Sequence, residues 1–335
     1  MEGYRILSKI IKTREFSIFL ILVSFSVIIG LINPAFFSIS TLFDTLRTSI
    51  VYFILAFGFL PVMISNGIDI SFVAIAALTS YSTHTLLINR GYQGGILLYY
   101  IIACGMGLLA GLLNGFLVTR LKLPIFNNSL GVYVMWYGFN LFFIGDFLNF
   151  NLPKGTVGYY GRFIVTVQDP LVGTTGLHIS IIYVVLIGLF MWWLLKYTII
   201  GRGIYAMGGN REVAVRSGFN TTLITLISFA IMGILSAVAG VTQSFLCRYF
   251  NPILFRGEEL DILAALIVGG VSVTGGHGSV LGAVLGVLLI QLIQRALILT
   301  GIPAPWHRLT VGILLIIFTS IPALAERRAK RISRV

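Results

Sequence analysis

The feature that most constrains this chain is a series of apolar runs, each long enough to cross a lipid bilayer. A helix of roughly 20 apolar residues spans the hydrocarbon core, and such runs recur along all 335 residues. Only 10% of the residues are charged, against roughly 25% in an ordinary soluble domain. The sequence therefore predicts an all-α polytopic membrane protein.

The apolar runs predict about ten transmembrane helices. They cover residues 16–32, 49–66, 68–87, 96–119, 125–145, 179–199, 221–245, 260–274, 279–299 and 307–323. An even number of spans puts both termini on one side. Most of the 23 lysines and arginines fall in segments that are cytoplasmic if the N-terminus is inside, as is typical of membrane proteins. We therefore predict that both termini are inside, an N-in/C-in topology.

Two polar segments separate these spans. Segment 198–220 is glycine-rich and basic, and the charge pattern places it in the cytoplasm together with the short turn 119–124. Segment 145–178 faces outward and is long enough for a small ordered extracytoplasmic lobe. Neither can form a separate soluble domain, so residues 1–335 are predicted to form a single transmembrane domain.

Polar residues and glycine interrupt the apolar pattern at 65–71 and again at 273–279. Irregular backbone at membrane depth persists only where protein or a water-filled cavity satisfies its hydrogen-bonding groups. Paired interruptions in two halves of a chain indicate a transport path between repeats. Because spans two to five and seven to ten run in opposite orientations, we predict halves that resemble an inverted repeat.

Glycines at four-residue spacing line one face of two predicted spans. They are Gly107, Gly111 and Gly115 in the fourth span and Gly282 and Gly286 in the ninth. Small residues let helix backbones approach closely inside a membrane, so these faces are predicted to be helix contacts. A pore-lining position for some of them is the alternative.

The sequence carries no motif for chemistry of its own. It lacks the GxxxxGK[ST] loop of nucleotide-binding subunits. Its histidines, His84, His178, His277 and His307, lack the spacing of metal ligands. We therefore expect no catalytic residue, no metal site and no cofactor. Cytoplasmic loops beside a lipid bilayer account for the net charge of +12, so nucleic acid is not an expected partner.

Asp69 supports two interpretations. A carboxylate at membrane depth is a functional candidate, because burying a charge there is costly. Alternatively, Asp69 caps the helix that follows it, since free amide groups and the helix dipole favour an acidic residue there. The sequence favours the cap, because a serine follows two residues later and no cationic partner is evident.

Four stretches together resemble one family, the permeases of ATP-binding-cassette (ABC) importers for simple sugars. They are NGIDIS at 66–71, NGFLVTRLKLP at 114–124, RGIYAMGGN at 202–210 followed by Ser217-Gly218, and GEELDILAA at 257–265 followed by the glycines at 269–278. They occur in the family's order. The sequence departs from the family pattern at IFNNSLG, 125–131, and at Phe72, which bears on the substrate more than on the architecture.

The resemblance implies a type II ABC importer permease in the bacterial inner (plasma) membrane. Members pair with a second permease chain, bind two cytoplasmic ATPase subunits, and receive substrate from an extracytoplasmic binding protein. Segment 198–220 would then couple to the ATPase. The expected coupling residues are Arg202, Tyr205, Met207, Gly208, Asn210, Arg211, Glu212 and Arg216, with Val213 and Val215 as further anchors. A merely solvated linker is the alternative.

A sugar pathway should be lined by polar and aromatic side chains. The expected pathway residues are Asn66, Asp69, Ser71, Asn114, Asn127, Asn128, Tyr137 and Asn140. A permease for branched-chain amino acids or nucleosides is the nearest alternative. An ion-coupled secondary transporter should carry several intramembrane carboxylates or histidines, and a polytopic membrane enzyme should carry a clustered acid, base or metal set. The sequence favours neither.

Overall fold

The computed structural model describes residues 14–169, 173–303 and 305–332. Part of the orientation prediction rests on residues that lie outside the described ranges. They are the lysines and arginines before residue 14, and Arg334. The first half holds α1 (Arg14–Ile32), α2 (Ile39–Ile64), α3 (Phe72–Asn89), α4 (Leu97–Arg120) and α5 (Ile125–Phe139), which a π-helical turn, Asn140–Ile144, extends. The second half holds α6 (Ile181–Tyr197), α7 (Ile199–Gly209), α8 (Arg211–Arg216), α9 (Thr221–Cys247), α10 (Glu259–Val268), α11 (Val280–Leu299) and α12 (Pro305–Ile332).

Five of the described helices, α1, α2, α4, α9 and α11, are long and apolar enough to cross a membrane, and the bent pair α6–α7 allows a sixth. Each predicted span has a helix near its expected position, so the polytopic helical architecture is confirmed. The count of ten spans is not confirmed. One reason is length, since α5 has 15 residues and α10 has 10, fewer than the roughly 17 that a spanning helix needs.

Helix α2 lies at the centre of the molecule, and almost every residue from Ser49 onward is buried. It begins at Ile39 rather than at residue 49, because the Ser38 hydroxyl accepts from the amide of Thr41 at 3.1 Å and caps the helix. The additional turns are polar and carry Asp44 and Arg47. Because these turns are polar, the amino-acid composition does not show that they belong to the same helix as the apolar span.

The glycine faces are helix contacts, as predicted. Gly107 and Gly111 on α4 lie directly against the carbonyl groups of Gly233 and Phe229 on α9. The other glycines make similar contacts: Gly115 with Leu226 and Phe229, Gly282 with the Gly269 carbonyl, and Gly286 with the Ala265 carbonyl. Any side chain on these glycines would separate the backbones, so glycine sets the packing distance.

The predicted extracytoplasmic lobe, 145–178, contains a β-hairpin that an all-α prediction did not foresee. Strand β1 (Phe163–Asp169) pairs antiparallel with β2 (Gly173–His178). The β1 sequence FIVTVQD is rich in β-branched and aromatic residues, which favour a strand. The hairpin lies against α2, where the Thr175 hydroxyl donates to Asp44 at 3.0 Å. The lobe is therefore joined to the membrane domain at the start of α2.

Candidate functional site

The two interrupted segments, 65–71 and 273–279, meet in the structure. The Gly276 amide donates to the Ile64 carbonyl at 2.8 Å, and Gly275 packs against the backbone of Asn66. Gly275 and Asn66 have φ angles of +81° and 69°, in the left-handed region that glycine and asparagine tolerate best. This contact joins the end of α2 to the loop that precedes α11.

Helix α7 touches the end of α2 and the interrupted segment 273–279 at once. The Tyr205 hydroxyl donates to the Gly278 carbonyl at 2.7 Å. Gly208 lies against the Ile64 carbonyl and the Gly276 amide, with no room for a side chain between them. A displacement of α7 therefore acts directly on the ends of α2 and α11. We call this three-way contact of α7 with residues 64–66, at the end of α2, and with 273–279 the junction.

The residues predicted to couple to an ATPase divide into two groups. Tyr205, Met207 and Gly208 face the chain's own interior, and the Asn210 side chain caps α8 by accepting from Glu212 and Val213 amides at 2.9 and 3.1 Å. The exposed group comprises Arg202, Arg211, Glu212 and Arg216, together with Val213 and Val215. Only Ala214 of α8 is buried, so α8 offers most of its surface to a partner.

The predicted cytoplasmic segments lie on one side of the molecule. The turn 119–124 borders a cleft whose other wall holds Arg211 and Thr222, from the neighbourhood of α8. The lobe and the outer ends of α2, α9 and α11 cluster elsewhere, around Tyr160. Which of the two groups faces the cytoplasm remains the prediction made from the charge pattern.

Four of the predicted pathway residues form one buried hydrogen-bonded chain. Asn128 donates to Asn114 at 3.4 Å, Asn114 donates to the Ser71 hydroxyl at 2.7 Å, and Ser71 donates to Asp69 at 2.7 Å. Asp69, Ser71 and Asn114 are each 0% exposed. This series of hydrogen bonds links the starts of α3 and α5 to α4, so these residues hold helices together within one protomer.

Asp69 has the geometry of a helix cap. Its Oδ1 atom accepts both the amide of Ser71, at 2.6 Å, and the Ser71 hydroxyl, just before α3 begins at Phe72. A carboxylate in this position satisfies free donors of the first turn. The capping interpretation made from the sequence is therefore supported by the contacts.

The other predicted pathway residues lie apart from this chain. The Tyr137 hydroxyl donates to the Leu254 carbonyl at 2.7 Å, and the Asn140 amide donates to the Pro252 carbonyl at 2.8 Å. Both side chains thus fasten α5 to the loop between α9 and α10. Asn66 belongs to the junction, and Asn127 is exposed.

A different set of residues lines a cavity of about 460 Å³ at the end of the molecule that is predicted to face outward. We call it the outer cavity, and none of the eight predicted pathway residues is among its described lining. Its walls are the polar start of α2, the ends of α9 and α11, Tyr160 of the lobe and Glu258. The lining comprises Asp44, Arg47, Thr48, Tyr52, Tyr160, Gln243, Leu246, Cys247, Glu258, Gln291, Gln294, Arg295 and Ile298.

Charged groups of both signs are paired around the outer cavity. Arg295 contacts Asp44 at 2.9 Å, with side chains 24% and 21% exposed. Arg47 and Arg248 each place their guanidinium carbon 4.0 Å from the centroid of the Tyr160 ring. Such cation–π contacts fix the orientation of an aromatic ring. The lobe is therefore held over the outer cavity by arginine–tyrosine stacking.

A donor remains free on the α11 wall of the outer cavity. The buried Arg295 Nε atom has no hydrogen-bond partner among the described residues, whereas the neighbouring Gln291 amide lies beside the Tyr52 hydroxyl. Leaving a buried donor unpaired costs roughly 1–3 kcal/mol. A ligand or water in the cavity would remove this cost, so the wall is suited to bind a molecule that accepts hydrogen bonds.

Glu258 forms the acidic edge of the outer cavity, in the loop before α10. The Tyr52 hydroxyl donates to its Oε2 atom at 2.9 Å. Burial raises the pKa of the Glu258 carboxyl above its usual value, the Tyr52 hydrogen bond lowers it, and the neighbouring Asp261 and Glu259 raise it further. Glu258 therefore accepts a proton more readily in the folded protein than in an unfolded chain.

Sequence reasoning missed the outer cavity because its residues come from distant parts of the chain. Asp44 and Arg295, for example, are 251 residues apart. One local signal was present, since Gln291, Gln294 and Arg295 place polar groups inside an otherwise apolar run. Polar residues in a membrane helix commonly mark a transport path.

Comparison with known proteins identifies the family. The family described as branched-chain amino acid transport system / permease component matches residues 41–319. The chain belongs to this permease family. Autoinducer 2 import system permease protein LsrC of Enterobacter sp. (strain 638) is 31% identical over 309 residues, 92% of this chain and 86% of the relative.

Proteins of the same name from Yersinia pseudotuberculosis serotype O:3 (strain YPIII) and Yersinia pestis (strain Pestoides F) are each 29% identical. Each match covers 305 residues, 91% of this chain and 83% of the relative. No solved structure matches. The expectation of a permease of the sugar-type ABC importer class is confirmed, and the permease is a transport component of the bacterial inner membrane. The alternative classes are not favoured.

Proposed function

We propose that this permease carries a neutral, hydroxyl-rich solute inward through a path that begins at the outer cavity. The substrate class we propose is autoinducer 2 or a related simple sugar, because the relatives named above are permeases of autoinducer 2 import systems. The observation that carries the proposal is the lining of the outer cavity. Three glutamine amides and two tyrosines present donors and acceptors together, which is what a ligand with many hydroxyl groups requires.

The charges around the cavity fit a neutral solute better than an ion. Asp44 is paired with Arg295, Arg47 is stacked on Tyr160, and Glu258 accepts from Tyr52. An anionic or cationic solute would have to compete with these partners. A polyol can instead use the carboxamides of Gln291 and Gln294, which both line the cavity.

We further propose that the exposed face of α8 receives a cytoplasmic ATPase. Arg211, Glu212 and Arg216 offer polar contacts, and Val213 and Val215, 56% and 53% exposed, offer apolar ones. Because α8 follows α7 after a single capping residue, Asn210, force applied to α8 reaches the junction directly. Segment 198–220 is thus proposed as the coupling segment of the single permease domain, 1–335.

Two further partners complete the proposed importer. A substrate-binding protein would dock on the lobe, 145–178, whose surface exposes Phe147, Phe150 and Val157. A second permease chain, identical or different, would pair with this one across the membrane. ATP hydrolysis belongs to the partner subunit, since the chain itself carries no phosphate-binding loop motif.

The test is uptake by proteoliposomes that contain the permease with its ATPase and binding protein. Labelled autoinducer 2 and ribose are compared with leucine, with ATP inside and with or without a proton gradient. We expect uptake of a hydroxylated solute that requires ATP and survives loss of the gradient. Uptake of leucine alone would overturn the substrate class, and uptake that collapses with the gradient would overturn the ABC mechanism.

A variant pair locates the path. Replacing Gln294 by alanine should reduce uptake at least fivefold, because an amide that faces the outer cavity is lost. The matched control is Gln168→Ala, on the exposed surface of β1, which should leave uptake unchanged. Equal uptake by both variants would show that the outer cavity is not part of the transport path.

A further inference from the structure

An apolar groove runs along the surface between α2, α6 and α11. Its volume is about 540 Å³, and Phe57, Leu189 and Val284 are among its lining residues. Gly188 keeps it open, since a side chain there would stand 3.2 Å from the Phe57 ring. The groove therefore offers an extended apolar slot rather than a filled helix contact.

The groove continues into a second pocket of about 450 Å³, because Trp192 and Val280 line both. The second pocket lies where α6 meets α7, and Lys196, Arg202 and Ser279 are among its lining residues. One continuous depression is thus apolar along most of its length and basic at one end.

The two cations at the basic end are free to bind an anion. Among the described residues, neither Lys196 nor Arg202 forms an ion pair with a carboxylate. Lys196 instead lies 5.1 Å from the ring centroid of Trp192. One acid contacts the described lining of this end, since the Glu15 carboxylate accepts from the Ser279 hydroxyl at 3.0 Å, so the lining carries two positive groups beside one negative group.

Exposed aromatic side chains surround the basic end, as is typical of the lipid headgroup region. Trp192, Trp193 and Tyr197, at the end of α6, are 44%, 52% and 56% exposed. Exposed tryptophan and tyrosine of membrane helices concentrate at the boundary between hydrocarbon and water. The charge pattern of the sequence places this end of α6 on the cytoplasmic side, where anionic lipids attract basic residues.

We propose that the groove binds one anionic phospholipid of the inner leaflet, with an acyl chain in the apolar part and the phosphate between Lys196 and Arg202. A soluble anion would leave the apolar part unused. A second copy packed symmetrically on the groove would place Lys196 and Arg202 of both copies close together, where the like charges repel. The amphipathic shape and the charge both match a lipid.

The bound lipid would connect two helices that bend sharply relative to each other. Lys196 belongs to α6 and Arg202 to α7, and these helices meet at an angle of 71°. A phosphate that contacts both cations holds this bend. Because α7 forms the junction, the lipid acts on the element through which an ATPase would drive transport.

The test is lipid retention by the purified permease, measured by native mass spectrometry after exchange from bilayers of phosphatidylglycerol and phosphatidylcholine. We expect the wild-type protein to retain phosphatidylglycerol in preference to phosphatidylcholine. The variant Lys196→Gln/Arg202→Gln should retain at least fivefold less. The matched control, Arg120→Gln/Lys122→Gln, removes two exposed cations from the same side away from the groove and should retain as much as wild type.

A second variant keeps the charges and fills the groove. Val185→Phe enlarges a groove-lining side chain that is 54% exposed, so it should also reduce phosphatidylglycerol retention without lowering the unfolding temperature. Equal retention by the charge variant and its control would overturn the proposal. Disulfide linkage of two copies through Val185→Cys, in bilayers, would also overturn it by assigning the groove to a contact between copies.

Discussion

The junction and the outer cavity are built on opposite principles. At the junction, backbone meets backbone, and Gly208 leaves no space for a side chain. At the outer cavity, polar side chains surround about 460 Å³ of open volume, and the buried Arg295 Nε atom has no hydrogen-bond partner among the described residues. Tight packing transmits displacement with little loss, whereas unpaired donors favour a ligand. One region is suited to receive force and the other to receive substrate.

The largest expected effect tests the tight packing of the junction. Gly208→Ala places a methyl group against the Ile64 carbonyl and the Gly276 backbone. Overpacking of this kind destabilises proteins by about 1–3 kcal/mol, and the upper end is expected here because both neighbours are backbone. The measurement is the thermal unfolding midpoint in detergent. Gly209→Ala is the control, since a methyl group there meets open space, and equal midpoints would show that the junction is not tightly packed.

The next prediction tests the pairing of charges beside the outer cavity. Asp44→Asn leaves Arg295 without its carboxylate partner at 2.9 Å, which should destabilise the protein by about 1.5 kcal/mol. The double variant Asp44→Asn/Arg295→Gln should recover part of the loss, because no unpaired charge remains. A double-mutant cycle on the unfolding midpoint measures the coupling. Strictly additive effects would contradict an energetic link between the two side chains.

A third prediction separates force transmission from stability. Arg211→Glu/Arg216→Glu reverses two exposed charges of α8 and should reduce uptake at least tenfold, about 1.4 kcal/mol, while ATP hydrolysis continues. The unfolding midpoint should not change, because both side chains are exposed. Uptake and ATPase activity are measured on the same proteoliposomes. Normal uptake by the variant would show that segment 198–220 is a solvated linker and does not couple to the ATPase.

The smallest expected effect is a pH dependence at the edge of the outer cavity. The pKa of Glu258 is raised in the folded protein, so its contribution favours folding most below the pKa of an unfolded glutamate. That contribution is lost as pH rises through the folded pKa. Glu258→Gln should therefore flatten the decline of the unfolding midpoint above roughly pH 4.3, while Tyr52 keeps an acceptor. Identical pH profiles would exclude Glu258 as their source.

Local features of the molecule could be predicted from the sequence, and distant pairings could not. Helix positions, the glycine faces and the cap at Asp69 each depend on residues close in sequence or on one helix face. The outer cavity depends on Asp44 meeting Arg295, and the junction on Ile64 meeting Gly208 and Gly276. Several predicted pathway residues, such as Asn114 and Ser71, are polar because they bond to each other. Polarity within an apolar run does not distinguish a buried network from a cavity wall.

The crossing of α4 and α9 has a mechanical consequence. Gly107 and Gly111 press on the carbonyl groups of Gly233 and Phe229 without any side chain between them. Rotating or sliding either helix would drive a neighbouring side chain into this backbone contact. We therefore expect α4 and α9 to move together as one rigid unit during transport.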